Sequence, residues 1–470
     1  MNTHKALFAA LIVPLGAALA VAPAVSAATP PAPAAAPVSA GAAAPSGPQK
    51  TAAPALRSPE AALGRAAHPL RTTEPRGGLD DLRPFGRMVG DAKVVGLGEA
   101  THSSHEFFTV KHRVLRYLVE KKGFRAFALE APWSTGLRLN DYLTSGRGDL
   151  RKIMDEEFRG TYRFWNNAEY RDLLQWMRAY NVEHPKDPVR FVGDDNGFAG
   201  AELYDKVSTY AAGARPELTA RLAELYRGLR PATDAETYVN DYLAKPLAER
   251  KKLAERTGRA VDLLKQRPGR GAGAEAHAWA VQHATAIHQM TTMFAFDWDD
   301  PQDIPDIMRY RDRVMAENVV WWRQRTGDKI VLAAHNSHIA LKTYAPASHP
   351  KIQGQFLRER LGGDYLSVGL TFDRGSFNAL GRDGGVHRFA VGPAAPGTAE
   401  HTLDRVRYRD FFVDLRNAPA PARAWLAAPR TVKNIGATYP GIADAPQIRL
   451  AKSHDVVVHL KKVEAARMLK

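Results

Sequence analysis

The chain has 470 residues, of which 45% are apolar and 24% charged, as in globular proteins and unlike disordered or fibrous ones. Lysine and arginine outnumber aspartate and glutamate by 65 to 50, which gives a net charge of +15. The absence of cysteine excludes thiolate nucleophiles, disulfides and cysteine-ligated metals. Any nucleophile must therefore be a hydroxyl, an amine, a carboxylate or water, and any metal must bind through histidine and carboxylate groups.

Residues 1–27 have the pattern of a secretory signal peptide, with a positive charge, an uncharged apolar run and a small-residue cleavage site. The apolar run is too short for a comfortable membrane span, so we expect no stable span after cleavage. Residues 28–58 are rich in proline and alanine and predict an extended linker, with ordered structure from about residues 79–82. The sequence therefore predicts a secreted protein with its folded domain at residues 79–470.

Short apolar runs bounded by turn residues predict buried strands. They lie at residues 94–97, 124–130, 189–193, 329–334 and 365–372. Ser103 and Glu106 match a capping box, which predicts a helix from Ser103 to Gly123 between the first two strands. A strand–helix–strand unit of this length implies parallel strands with a right-handed crossover.

The segment from about residue 201 to residue 325 has helical spacing throughout. It lies between the third and fourth predicted strands, so we interpret it as a helical insertion and not as a second sheet domain. The predicted fold class is α/β, with a mainly parallel sheet flanked by helices and a large helical insertion.

Ionisable side chains follow four of the predicted strands, and ligands bind beyond the carboxyl ends of parallel strands. Any one such side chain alone is better explained as a solvated loop residue, whereas several at one edge predict a site. These side chains are Glu99, His102, Glu130, Asp194, Asp195, His335 and His338.

His102 has the most specific argument, because it directly precedes the predicted helix, whose dipole disfavours an imidazolium there. A neutral ring can accept a proton near pH 7, and Glu99 can orient it. Lys111 shares a helical face with apolar residues, so its ammonium either extends past them or points into the site; periodicity leaves both open.

Several common catalytic and nucleotide-binding patterns are missing from the sequence. There is no G-x-S-x-G elbow, no phosphate-binding G-x-x-x-x-G-K-[ST], no G-x-G-x-x-G after a strand and no H-E-x-x-H. An ordinary serine α/β-hydrolase is therefore disfavoured.

Two parts of the chain resemble the signatures of the erythromycin esterase family. The first reads VVGLGEATHSSHEFFTVKHRVLRYLVEKKGFRAFALE at residues 94–130. The second joins RDRVMAENVVWW at 311–322 to KIVLAAHNSHIA at 329–340. Weaker matches follow in order, so the resemblance covers about residues 79–470.

The resemblance implies roles for individual residues. In the G-E-x-x-H motif, His102 is the base that activates water and Glu99 its acidic partner. The implied catalytic residues are His102, Glu99, Glu130 and His335, and the implied substrate-binding residues are Lys111, His338, Asn336 and Arg311. Lys111 stands where the macrolide-cleaving members have an arginine, a change that keeps the charge and loses the planar fork.

The leading hypothesis is a secreted hydrolase that cleaves an ester or lactone of a small molecule, without metal or other cofactor. One alternative is a metal-dependent hydrolase that uses the same histidine and glutamate cluster. Another is a non-catalytic factor associated with exopolysaccharide or the cell wall, which the positive charge would suit. Nucleic-acid binding is disfavoured by the predicted export and by the lack of a matching motif.

Overall fold

The computed structural model describes residues 58–266, 271, 273–439 and 445–469. The predicted signal peptide, and the predicted linker up to residue 57, lie outside the described residues. Among the residues that are described, no helix is both long and apolar enough to cross a membrane.

The described elements alternate between strands and helices along most of the chain. The helices are α1 (Pro59–Ala66), α2 (Arg83–Val89), α3 (His105–Lys122), α4 (Trp133–Ser145), α5 (Leu150–Glu157), α6 (Ala168–Glu183), α7 (Ala201–Ala214), α8 (Pro216–Leu225), α9 (Ala235–Leu243), α10 (Leu247–Lys265), α11 (Gly273–Met293), α12 (Ile304–Thr326), α13 (Asn336–Ile339), α14 (Gln353–Leu361), α15 (Ala399–Leu403), α16 (Ala420–Ala427) and α17 (Leu450–Ser453). The strands are β1 (His68–Pro69), β2 (Val94–Leu97), β3 (Phe124–Pro132), β4 (Arg190–Asp195), β5 (Lys329–Ala333), β6 (Tyr365–Leu380), β7 (Val386–Val391), β8 (Phe411–Asp414), β9 (Arg430–Thr431), β10 (Gln447–Ile448) and β11 (Val456–Val463). Short 3₁₀ turns lie at Asp80–Leu82, Gly160–Trp165 and Gly362–Asp364.

A nine-stranded sheet organises the fold, in the order β1-β8-β11-β6-β2-β5-β3-β4, with β7 paired to β6. Every neighbouring pair from β11 to β4 is parallel, while β1, β7 and β8 pair antiparallel. The five predicted strands form the contiguous block β6-β2-β5-β3-β4. The predicted fold class, a mainly parallel sheet flanked by helices, is therefore confirmed.

Both faces of this sheet are covered by apolar helical surface. Successive residues of β5, Ile330 and Val331, are both fully buried but belong to two separate hydrophobic clusters. Val331 packs in the cluster that contains Phe107 of α3, and Ile330 packs in the cluster of the insertion helices that contains Val319 of α12. Because side chains alternate across a strand, the continuous apolar runs in the sequence follow from burial on both faces. Between β4 and β5 all the regular elements that the structure describes are helices, α7 to α12.

The structure corrects the predicted start of α3. The helix begins at His105 after Ser104, and no capping hydrogen bond from a side chain is present at that residue. The carboxylate of Glu106 instead accepts the backbone N–H of Glu464 at 2.6 Å. The C-terminal segment after β11 runs across the start of the helix and takes the groups that a capping box would use, so the capping-box prediction is wrong. The predicted end at Gly123 is confirmed by its left-handed φ of 71°.

Regular structure also starts earlier than residues 79–82. Helix α1 packs in a cluster that contains Leu63 and Val406, and β1 pairs with β8. These partners lie more than 300 positions away in the sequence, so a local pattern does not reveal them.

Candidate functional site

The carboxyl ends of β2, β5, β3 and β4 are adjacent in the sheet, and they bring the predicted ionisable residues together. The side chains are almost completely enclosed: Glu99, His102, Lys111, Glu130 and Arg311 are each at most 1% exposed. Ionised groups at such burial need charge partners, because removing them from water is costly. The partners form two connected groups.

The first group consists of Glu99, His102 and Lys111. One carboxylate oxygen of Glu99 lies 2.9 Å from Nδ1 of His102, and the other accepts a hydrogen bond from Nζ of Lys111. We assign the hydrogen to Nδ1 from this contact, which leaves Nε2 of His102 with a lone pair. Burial lowers the pKa of Lys111, and the carboxylate of Glu99 acts in the opposite direction. The open question about Lys111 is thereby settled, because its ammonium lies against Glu99.

Two rings enclose the imidazole of His102. The ring centroid of His335 lies 4.9 Å away, and Trp165 meets His102 edge to face at 5.4 Å. Trp165 is itself fixed by a 2.8 Å hydrogen bond from its Nε1 to the carbonyl of Glu130. Trp165 lies in a short 3₁₀ turn without any catalytic pattern, so the sequence alone does not identify it.

The second group is built around Arg311 of α12. Its guanidinium donates to Asp195 at 3.1 and 2.6 Å and to Glu130 at 2.8 Å. The hydroxyl of Tyr162 donates a further bond of 3.0 Å to Asp195. Burial would raise the pKa of Glu130, but His338, Arg311 and His102 outweigh it and hold that pKa well below its usual range. Arg311 thus ties the ends of β3 and β4 to the insertion.

His338 is placed between two carboxylates. Its Nδ1 lies 2.7 Å from Asp312, and its Nε2 lies 3.6 Å from Glu130. Burial would lower the pKa of His338, but Asp312 and Glu130 reverse this and raise it above its usual value. Asp312 was missed in the sequence analysis, although it is the second residue of the RDR segment that opens the second signature.

His335 has the opposite character. Its Nδ1 accepts the backbone N–H of Ser337 at 3.2 Å, and its own backbone N–H donates to Glu130 at 3.3 Å. Burial holds the pKa of His335 well below its usual value, and neighbouring His102 and His338 lower it further. The ring is therefore neutral, with its hydrogen on Nε2. This atom is buried and has no regular hydrogen-bond partner among the residues that the structure describes.

Asn336 stands apart from these charges. Its carboxamide donates to the carbonyl of Leu370 at 2.8 Å and accepts the N–H of the same residue at 3.1 Å. Its backbone N–H donates to the carbonyl of Glu99 at 2.9 Å. These are the contacts of a residue that positions β2, β5 and β6, and its substrate-binding role stays a prediction.

The carboxylates of this region, which are the groups that could bind a metal ion, already contact cations of the protein. Glu99 faces Lys111, and Glu130 and Asp195 face Arg311. Within the described ranges, no set of three or more histidine, aspartate or glutamate side chains is arranged to hold a metal ion. The arrangement can instead remove a proton from water at His102 and present N–H donors beside it.

Comparison with known proteins places the chain in a family. The family model for erythromycin esterase matches residues 119–463. The match begins after Glu99, His102 and Lys111, so the case for those three residues rests on their geometry and on the motif around them. The curated erythromycin esterase type II of Escherichia coli is 25% identical over 374 residues, which cover 75% of this chain and 87% of that protein.

Solved structures agree in fold. A structure described as a succinoglycan biosynthesis protein is 30% identical, with a TM-score of 0.77, and the match covers 87% of this chain and 98% of that one. A mutant erythromycin esterase in an open conformation is 19% identical, with a TM-score of 0.65 over 84% of this chain and 98% of that one, and shows likeness of fold alone. The family match over more than half of the chain supports a hydrolase: the chain belongs to the erythromycin esterase family.

Proposed function

We propose that the protein hydrolyses an ester or lactone bond of a small molecule with a water molecule that His102 activates. The observation that carries the proposal is the buried Glu99–His102 pair, in which the carboxylate contacts Nδ1 at 2.9 Å and leaves Nε2 as a base. An imidazole held in this way can accept a proton from water while the carboxylate stabilises the charge that appears.

The reaction can be written with these residues alone. Nε2 of His102 takes a proton from water as the oxygen attacks the carbonyl carbon, which forms a tetrahedral intermediate. Nε2 of His335 has no regular hydrogen-bond partner among the described residues, although the backbone of Ile435 lies close to the ring. The ring is tilted against His102, with the centroids 4.9 Å apart, so its N–H can turn to the oxyanion. Collapse of the intermediate breaks the carbon–oxygen bond, and the leaving alkoxide takes the proton back from His102.

The positive charges have separate tasks in this scheme. Lys111 compensates the charge of Glu99 inside an enclosed site. Arg311 and His338 compensate Glu130, which in turn accepts the backbone N–H of His335 and holds that ring in place. No cofactor enters the proposed steps.

The test is turnover of a panel of esters and lactones by the purified protein. His102→Ala should lower kcat by about 10²- to 10⁴-fold, the usual contribution of a general base. His387→Ala is the control, because this histidine is half-exposed on the β6–β7 hairpin and pairs with the exposed Asp383. Equal activity of wild type and His102→Ala, or no turnover of any substrate in a broad panel, would refute the proposal.

A second variant tests the role of the oxyanion donor independently of the role of the base. His335→Phe removes the Nε2 donor and keeps a ring of similar shape, so kcat should fall by roughly 10²- to 10³-fold. A loss confined to KM would assign His335 to ground-state binding and contradict this role.

We also propose that the protein is exported, on the strength of the signal-peptide pattern at residues 1–27. The measurement is the N-terminal sequence of the protein recovered from the culture medium of an expressing bacterium. A mature chain that begins close to residue 28 is expected, and an uncleaved chain that stays with the cells would overturn the proposal.

A further inference from the structure

A cavity of about 810 Å³ lies between α3 and α6, away from the catalytic residues. Its α3 wall is formed by one stripe of side chains, spaced four, three and four positions apart: His105, Thr109, His112 and Arg116. Lys111 belongs to a different face of the same helix, because each residue turns the helix by about 100°. The volume falls in the range of 300 to 1,000 Å³ that is usual for small-molecule sites.

The opposite wall comes from α6, and it includes Asp172 and Trp176. Facing stripes of two neighbouring helices are normally apolar and interlock. Here the facing residues include charged and aromatic groups, and the helices leave a space between them. Because α3 and α6 do not pack closely along these polar stripes, the space between them is filled by something other than hydrophobic core.

The cavity is held open by contacts around its edge. His105 lies 2.6 Å from Glu169 of α6 and 2.9 Å from Glu74 of the preceding loop. These two carboxylates raise the pKa of His105 to about 9, so the ring is an imidazolium at neutral pH. Arg116 donates to the carbonyl of Pro75, which fixes the same loop farther along α3. The walls are therefore cross-linked without a ligand.

Arg76 and His112 of the lining take no part in these contacts. Arg76 is exposed, and it makes no ion pair or hydrogen bond with any residue that the structure describes. His112 is only 5% exposed, and its Nε2 has no hydrogen-bond partner among the described residues. The ring of His112 lies 5.5 Å from the indole of Trp176, which is half-buried. The cavity thus offers an aromatic surface, an unpaired cation and an unsatisfied ring nitrogen.

We propose that this cavity binds a short acidic oligosaccharide that contains a uronic acid. Arg76 pairs with the sugar carboxylate, in the geometry that suits a guanidinium. Trp176 offers a flat apolar face to the pyranose ring. Glu74 already contacts His105, and Asp172 contacts Arg171 and Arg467. The remaining lone pairs of these carboxylates accept hydrogen bonds from sugar hydroxyls, and their charge would repel the denser charge of a phosphate ester.

The experiment is calorimetric titration of the full-length protein with tri-galacturonate, with maltotriose as the uncharged trisaccharide. Wild type should bind tri-galacturonate and bind maltotriose at least tenfold more weakly. Arg76→Ala should raise the Kd for tri-galacturonate at least tenfold. The matched control is Arg83→Ala, because its side chain is 72% exposed and lies outside the cavity lining; it should leave Kd unchanged.

Two further variants locate the ligand. Trp176→Phe keeps an aromatic ring of smaller area and should weaken binding less than Trp176→Ala, whose fold is checked by circular dichroism. His102→Ala should bind tri-galacturonate as wild type does. The proposal is overturned if wild type does not bind tri-galacturonate at millimolar concentration, if Arg76→Ala binds unchanged, or if His102→Ala abolishes binding and so places the sugar in the catalytic site.

Discussion

Replacement of Arg311 by methionine tests whether this buried guanidinium holds the ends of β3 and β4 to the helical insertion. The side chain is 1% exposed and donates to Asp195 at 2.6 and 3.1 Å and to Glu130 at 2.8 Å. Methionine has a similar length but no charge, so the variant leaves Asp195 buried without its arginine and leaves Glu130 with His338 as its cation. Removing one partner from a buried ionic network typically costs about 3 to 5 kcal/mol.

That loss is a large share of the 5 to 15 kcal/mol that is typical of folded proteins, roughly a fifth or more. The assay is urea unfolding at pH 7, followed by circular dichroism. Arg147→Met is the control, because Arg147 and its partner Asp141 are both exposed, and the urea midpoint should not change. The size of the effect should therefore depend on burial and not on arginine itself.

A second substitution tests the electrostatic reason. In the Arg311→Met background, Asp195→Asn removes the carboxylate that has lost its arginine and keeps the shape, so it should recover more than about 1 kcal/mol. The reasoning is refuted if Arg311→Met unfolds within about 1 kcal/mol of wild type, or if Asp195→Asn adds a further loss.

Three other substitutions each test a single contact of the structure. His105 has a pKa raised to about 9, so its stabilising contribution is full below pH 6.5 and is lost as pH rises through 9. Calorimetry should therefore show Tm falling over this pH window. If Tm of His105→Gln falls with the same slope as that of wild type, the assignment is contradicted. A Cβ at Gly98 would lie 1.9 Å from Oδ1 of Asn336, so Gly98→Ala should lower the free energy of unfolding in urea by about 1 to 3 kcal/mol. Gly213 lies on α7 with open space around its Cβ position, so Gly213→Ala should be neutral or stabilise by up to about 1 kcal/mol. Lys111→Met removes the cation beside Glu99 and should lower kcat for ester hydrolysis at least tenfold, roughly 1.4 kcal/mol; an unchanged kcat would remove Lys111 from the scheme.

The central strands were predictable because each is a short apolar run buried on both faces of the sheet. The outer strands carry weaker signals. β8 has four residues, and β11 changes from valines to the charged pair Lys461-Lys462 in its second half. β6 continues to Leu380 through Asp373, Arg374 and Gly375, which read locally as a turn. It remains a strand there because β11 pairs with Arg374 and Gly375 and β7 pairs with it from Gly375 onward, and neither partner is visible in the local pattern.

The site was predictable where a strand end carries an ionisable residue. Glu99, Glu130 and His335 follow from the rule that parallel strands present their carboxyl ends at one edge. Asp312 and Trp165 come from a helix and a 3₁₀ turn, for which no such rule exists. Lys111 shows the limit of periodicity, since a helical wheel predicts the face on which a side chain lies but not the carboxylate that it contacts there.

The residues around Arg311 also bear on how the protein reaches its active form. Asp195 and Arg311 are separated by 116 positions, and the chain between them forms most of the helical insertion. Contacts over such a separation form only after a large loss of chain entropy, so they are favoured late in folding. The catalytic edge therefore cannot be complete in a partly folded chain, and the recovery of hydrolysis during refolding would report the last step of assembly, not the first.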